Sequence, residues 1–150
     1  MAQVDFAFGA PDRLRTACVA ARKRFLAGQR VVVYCSDGAR LSAFDRMLWA
    51  FDDTSFVPHV LAGDPLCAAT PVVLTASPPD AASQAMGAGE PPWLLNLDEG
   101  CPPSLQAFER VMEIVSDDPA DRLAARERWR AYQAAGHAVQ AHDLKRPAPP

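Results

Sequence analysis

The first residues in this 150-residue chain that could act as nucleophiles or metal ligands are four cysteines, and their spacing argues against both roles. Cys18, Cys35, Cys67 and Cys101 stand far apart, with no closely spaced pair to share a zinc ion. His59, His137 and His142 have no metal-ligand spacing to one another or to a cysteine, so no metal or other cofactor is expected. The thiols read as reduced and mostly buried. Cys35 ends an apolar run, where nucleophiles of open α/β sheets can sit, but a thiolate there needs an adjacent histidine or helix amino terminus. A small buried hydrophobe is the commoner reading. Asp52 and Asp53 follow a helical segment and have no identifiable acid/base or metal partner, so they read as solvated turn acids. Gly87-Ala88-Gly89 has the glycines of a phosphate cradle, but Pro91-Pro92 stands where the required helix would begin. No Ser, His and Asp arrangement forms a recognisable motif, and no catalytic residue is assigned.

Recognition chemistry is better represented. The last helical segment carries Arg122, Arg126, Trp129, Arg130 and Gln133 on one stripe, with Leu123, Ala124, Ala131, Ala134 and Ala135 opposite, the side expected to approach a sheet. A solvated helix face, flanked by Glu127 and Arg128, accounts for the cations. An outward indole is not needed there; beside groups that bind carboxylates it serves as an anchor. A short acidic peptide with an apolar end fits this stripe. A second cluster gathers Phe44, Trp49, Phe51, Phe56 and His59, with Pro58 removing a ladder donor and so favouring a sheet edge or strand start. An exposed aromatic cluster at such a place is a candidate protein interface, while core packing explains the pattern equally well.

The elements that must position these residues follow from hydrophobic spacing. With 49% apolar and 22% charged residues the chain has the composition of one domain, and its net charge of −3 argues against a surface built to neutralise phosphates. DNA is a poor candidate for a direct ligand. Residues 4–8, 31–35, 56–61, 71–75 and 93–97 read as strands, and 14–25, 39–51, 103–115 and 120–135 as helices. Residues 77–92, with four prolines and two glycines, read as a mobile surface loop. This alternation predicts an α/β fold, a single three-layer domain over residues 1–137 with a central, largely parallel sheet flanked by helices. Residues 138–150 have too little apolar content to order themselves and read as a disordered Pro-rich tail. The start of the chain has no secretory pattern and no apolar run approaches membrane-spanning length, so a soluble cytoplasmic protein without a membrane partner is expected.

The chain resembles the chi subunit family of bacterial DNA polymerase III. The resemblance rests on Asp45 with Leu48-Trp49, on Ser55-Phe56-Val57-Pro58-His59 followed by Ala62-Gly63, on Pro71-Val72, and on residues 126–132 through Gly136, in matching order across roughly residues 4–137. It implies a non-catalytic accessory subunit of the replicative polymerase that pairs with the psi subunit, reaches the clamp loader through psi, and binds the acidic carboxyl-terminal tail of single-stranded-DNA-binding protein. On the family pattern the tail site maps to Arg122, Arg126, Trp129 and Arg130, and the psi contact to Trp49, Phe56, Pro58 and His59. Phe44 stands where the family commonly has Leu, and Trp129 and Arg130 where it commonly has Tyr and Lys. The last two changes keep an aromatic and a cation, and a planar guanidinium favours bidentate carboxylate binding.

Overall fold

The computed structural model describes residues 1–51 and 56–146. The chain runs through β1 (Gln3–Ala10), α1 (Arg13–Leu26), β2 (Val31–Tyr34), α2 (Gly38–Ala50), β3 (His59–Leu61), β4 (Val72–Thr75), α3 (Pro79–Ala85), β5 (Trp93–Asn96), β6 (Arg110–Ser116), α4 (Pro119–Ala134) and β7 (Ala138–Asp143). The strands form one sheet in the order β3-β4-β2-β5-β6-β1-β7, and every described pairing is parallel. Parallel neighbours need crossovers, and these put α1 and α2 on one face over Val31, Val33, Leu74 and Leu95. The other face, with Val32, Val73, Leu94 and Val111, is covered by α3 and α4. The three-layer α/β architecture expected from the alternation is therefore present.

Local chemistry starts the three long helices. Asp12, Asp37 and Asp118 each accept a backbone N–H from the first turn, and Pro119 sits at the first position of α4, where its missing amide costs nothing. The strands β2 and β4 are buried at every residue, as central strands of a two-sided sheet must be.

Three expectations are corrected. The helix expected over 103–115 is a 3-10 turn at Leu105–Ala107 followed by β6, whose residues from Val111 to Ser116 are all buried. Burial on both faces puts apolar residues at nearly every position, and some of them then fall at helical spacing by accident. The loop expected over 77–92 contains α3, which Pro79 opens and whose Ala82 packs, with Met86 beyond its end, into the core. Arg30 then donates to the carbonyls of Met86, Gly87 and Glu90 and ties down the glycine-containing turn.

The third correction concerns the tail expected over 138–150. Gly136, at φ 87°, makes the left-handed turn that ends α4, and the chain returns as β7 along the free edge of β1, Gln3 opposite Ala138 through Phe8 opposite Asp143. Ladder hydrogen bonds come from the backbone, so a segment poor in apolar side chains orders against a waiting edge. Asp52, Asp53, Thr54, Ser55 and residues 147–150 lie outside the described residues.

Candidate functional site

A buried ionic network sets the orientation of α4. Glu113 on β6 is fully buried, and its carboxylate accepts from Arg128 Nε at 3.0 Å, Tyr132 Oη at 2.6 Å and Asn96 Nδ2 at 2.8 Å. Arg13 lies 3.8 Å away and bridges to Asp121 at 3.7 Å. Burial pushes the Glu113 carboxyl above its ordinary range, and Arg128, Tyr132, Asn96 and Arg13 all pull against that. Three donors aimed at one carboxyl suit its ionised form. Burial, reinforced by Glu113, pushes the Tyr132 phenol up as well.

Arg128 and Tyr132, one turn apart, grip the same carboxylate, so α4 turns its 125, 128 and 132 face to the sheet. The inward face expected from sequence is thereby corrected: Leu123, Ala131, Ala134 and Ala135 are exposed and Ala124 is half-buried, while Arg128, expected on a solvated flank, is buried. A charged residue inside a network inverts the apolar pattern that the amphipathic reading relies on.

This roll leaves a cleft between α4 and the strands β1, β6 and β7. It encloses about 460 Å³, and Phe6, Val115, Ala125 and Trp129 are among its apolar lining. Trp129 is half-buried and packs against Phe6 with ring centroids 5.1 Å apart, so the indole is a wall of the cleft and not a free outward anchor. Arg122 and Arg126 line it from the helix and are exposed. Among the described residues no carboxylate lies within ion-pair distance of either guanidinium. Arg130 does not join them. It lies about 100° round the helix from Trp129 and pairs in solvent with Glu127 at 3.7 Å. Lys145 and Asp143, beyond the reach of the sequence reading, line the side of the cleft facing Arg122 and Arg126 together with Asp117.

The second cluster lies at the β3 edge of the sheet. Trp49, 52% exposed, and Phe56, 62% exposed, pack together with centroids 5.3 Å apart. His59 is buried beneath them, its ring 4.4 Å from Trp49. Its Nδ1 lies 2.7 Å from the Val57 carbonyl, and Asp45 lies 2.9 Å from Nε2 in a contact poorly aligned for a hydrogen bond. Pro58 is half-buried. The structure thus brings Trp49, Phe56 and His59 together, with His59 propping the indole from below. Phe44 sits in the core and Phe51 packs against it, while Leu61 and Leu66 are additional exposed aliphatics near this edge. Neither leucine carried a sequence signal beyond its place in an ordinary apolar run.

Cys35 is buried and donates to the Leu97 carbonyl at 3.6 Å; burial pushes its thiol up, which opposes nucleophile chemistry. Cys101 is raised for the same reason, and Cys18 is pushed up to about 12. Among the described residues no group of three His, Cys, Asp or Glu could hold a metal ion, and no helix is long and apolar enough to cross a membrane.

The fold and these surfaces define a three-layer α/β domain with a basic cleft at one edge of its sheet and an exposed aromatic patch at the other. The family model described as DNA polymerase III chi subunit, HolC, matches residues 1–140, and the chain belongs to that family. A protein of Pseudomonas aeruginosa named DNA polymerase III subunit chi is 37% identical over 139 residues, covering 89% of this chain and 88% of the relative. Proteins of the same name from Escherichia coli and Haemophilus influenzae are 32% and 27% identical, over 79% and 80% of this chain and 77% and 79% of theirs. The chain is accordingly similar to replication proteins named as subunits of a polymerase complex.

Proposed function

We propose that this chain is a non-catalytic, cytoplasmic adaptor of the polymerase III holoenzyme. The cleft of Arg122, Arg126 and Trp129 takes the acidic carboxyl-terminal tail of single-stranded-DNA-binding protein, and the patch of Trp49, Phe56 and Pro58, propped by His59, pairs with psi and through it with the clamp loader. DNA is reached only through these partners. The observation that carries this reading is the pair of exposed guanidiniums beside an apolar cleft with no carboxylate partner of their own among the described residues. A peptide that ends in an apolar residue and a terminal carboxylate supplies both missing complements. Arg130, on the solvent side of α4 in a weak exposed pair with Glu127, adds its charge at the margin of the same site.

Exposed ion pairs are each worth about 0 to 1 kcal/mol and are screened within about 8 Å at physiological ionic strength. Tail binding is therefore expected to be moderate and to weaken steadily as salt is raised tenfold, while psi binding, through apolar area, changes little. Isothermal titration at a series of salt concentrations checks both. Pull-down of single-stranded-DNA-binding protein with and without its acidic tail tests the function itself: capture that survives removal of the tail would overturn the cleft assignment.

A further inference from the structure

On the reading of the cleft as an acidic-peptide site, we infer that Lys145 is a third gripping cation, held by Asp117 in the free protein and exchanged onto the ligand's carboxylate on binding. Lys145 lines the cleft from the strand side, across from Arg122 and Arg126 on α4. Its Nζ lies 3.0 Å from Asp117 Oδ2 and 3.1 Å from Oδ1. Both side chains are more than half exposed, so the pair is screened and weak, as an exchangeable contact must be.

The backbone that carries Lys145 is, by contrast, anchored. The Leu144 amide donates to the Phe8 carbonyl at 3.0 Å, and the Lys145 amide donates to Asp143 Oδ1 at 2.9 Å. Gly9, whose φ of 83° suits glycine, lies beside the lysine stem: a Cβ at position 9 would meet Lys145 Cγ at 3.4 Å, an ordinary packing contact. A fixed stem with a free ammonium head can leave Asp117 for a nearby anion without any rearrangement of the strand. A peptide carboxylate then meets cations from both sides of the cleft. The segment after Gly136 becomes part of the binding site.

The test is fluorescence anisotropy of a labelled acidic peptide ending in Phe, titrated with the full chain in four forms: native, Lys145→Ala, Asp117→Asn and the double variant. Melting temperatures establish that each is folded. Lys145→Ala is expected to weaken binding about fivefold and Asp117→Asn to tighten it about twofold, since the latter frees the ammonium. The double variant should stay as weak as Lys145→Ala within about twofold. A double variant that returns to native affinity would mean that Lys145 only neutralises Asp117, and weakening by both single changes would mean that the pair only ties down the strand; either overturns the inference. Native protein that binds no peptide overturns the cleft reading as a whole, whereas native binding that is lost in Arg126→Ala but untouched in Lys145→Ala overturns this inference alone.

Discussion

Replacing Arg128 with Ala should cost the fold about 3–5 kcal/mol, a large share of the roughly 5–15 kcal/mol that holds a typical domain together. The change leaves the Glu113 carboxylate, wholly buried, without its nearest cation and removes the donor at 3.0 Å. Arg13 is too far to take over, at 3.8 Å and already shared with Asp121 at 3.7 Å. Urea unfolding followed by tryptophan fluorescence measures the loss. Removing both charges together, Glu113→Gln with Arg128→Met, should recover much of it, because the penalty belongs to the unpaired charge more than to the lost attraction. A loss below about 1 kcal/mol for Arg128→Ala would show that Arg13 closes on Glu113 and that the pair does not hold α4. Peptide affinity should fall in Arg128→Ala even where the protein remains folded, since the roll of α4 aligns Arg122, Arg126 and Trp129 along the cleft.

Phe56→Ala should abolish capture of psi, a loss of more than about 2 kcal/mol and so at least about thirtyfold in affinity. Phe56 and Trp49 form the most exposed aromatic pair at the β3 edge, and buried aromatic anchors carry a disproportionate share of interface energy. At 62% exposure Phe56 contributes little to the fold, so thermal stability should hardly change. Acidic-peptide binding should survive, because the cleft lies at the opposite sheet edge, bounded by β1 and β7. A folded Phe56→Ala variant that loses both partners would contradict two separate sites.

Much of the fold could be read from local signals. Val31, Val32, Val33 and Tyr34 form the run expected of a doubly covered strand, and hydrophobic spacing places α1, α2 and α4. Sequence and structure part where a non-local contact overrides a local pattern. Leu105, Phe108, Val111, Met112 and Val115 mimic one face of a helix, although the β-branched Val111, Ile114 and Val115 favour a strand. Glu113 in that run was the informative residue: a carboxylate flanked by apolar neighbours signals a buried partner. Those partners are Asn96, Arg128 and Tyr132, which sequence spacing does not connect to Glu113.

The same cause explains the partial reading of the cleft. The spacing of 122, 126, 129 and 130 is legible as one stripe, but which of them line the cleft depends on the helix's rotation, set by Arg128 facing inward, and Arg122, Arg126 and Trp129 do so while Arg130 lies on the solvent side. The opposite wall could not be read at all. Its strand, β7, has few apolar residues and exists because β1 offers an unpaired edge.

Affinity of a labelled acidic peptide ending in Phe for the native chain, compared with Arg126→Ala, tests the central claim most directly. Native protein should bind at moderate affinity, and removing the guanidinium that faces the ligand should weaken binding by about 1 kcal/mol, some fivefold, with no loss of fold. Equal affinity for the two proteins would contradict an acidic-tail site between α4 and the β1–β7 edge.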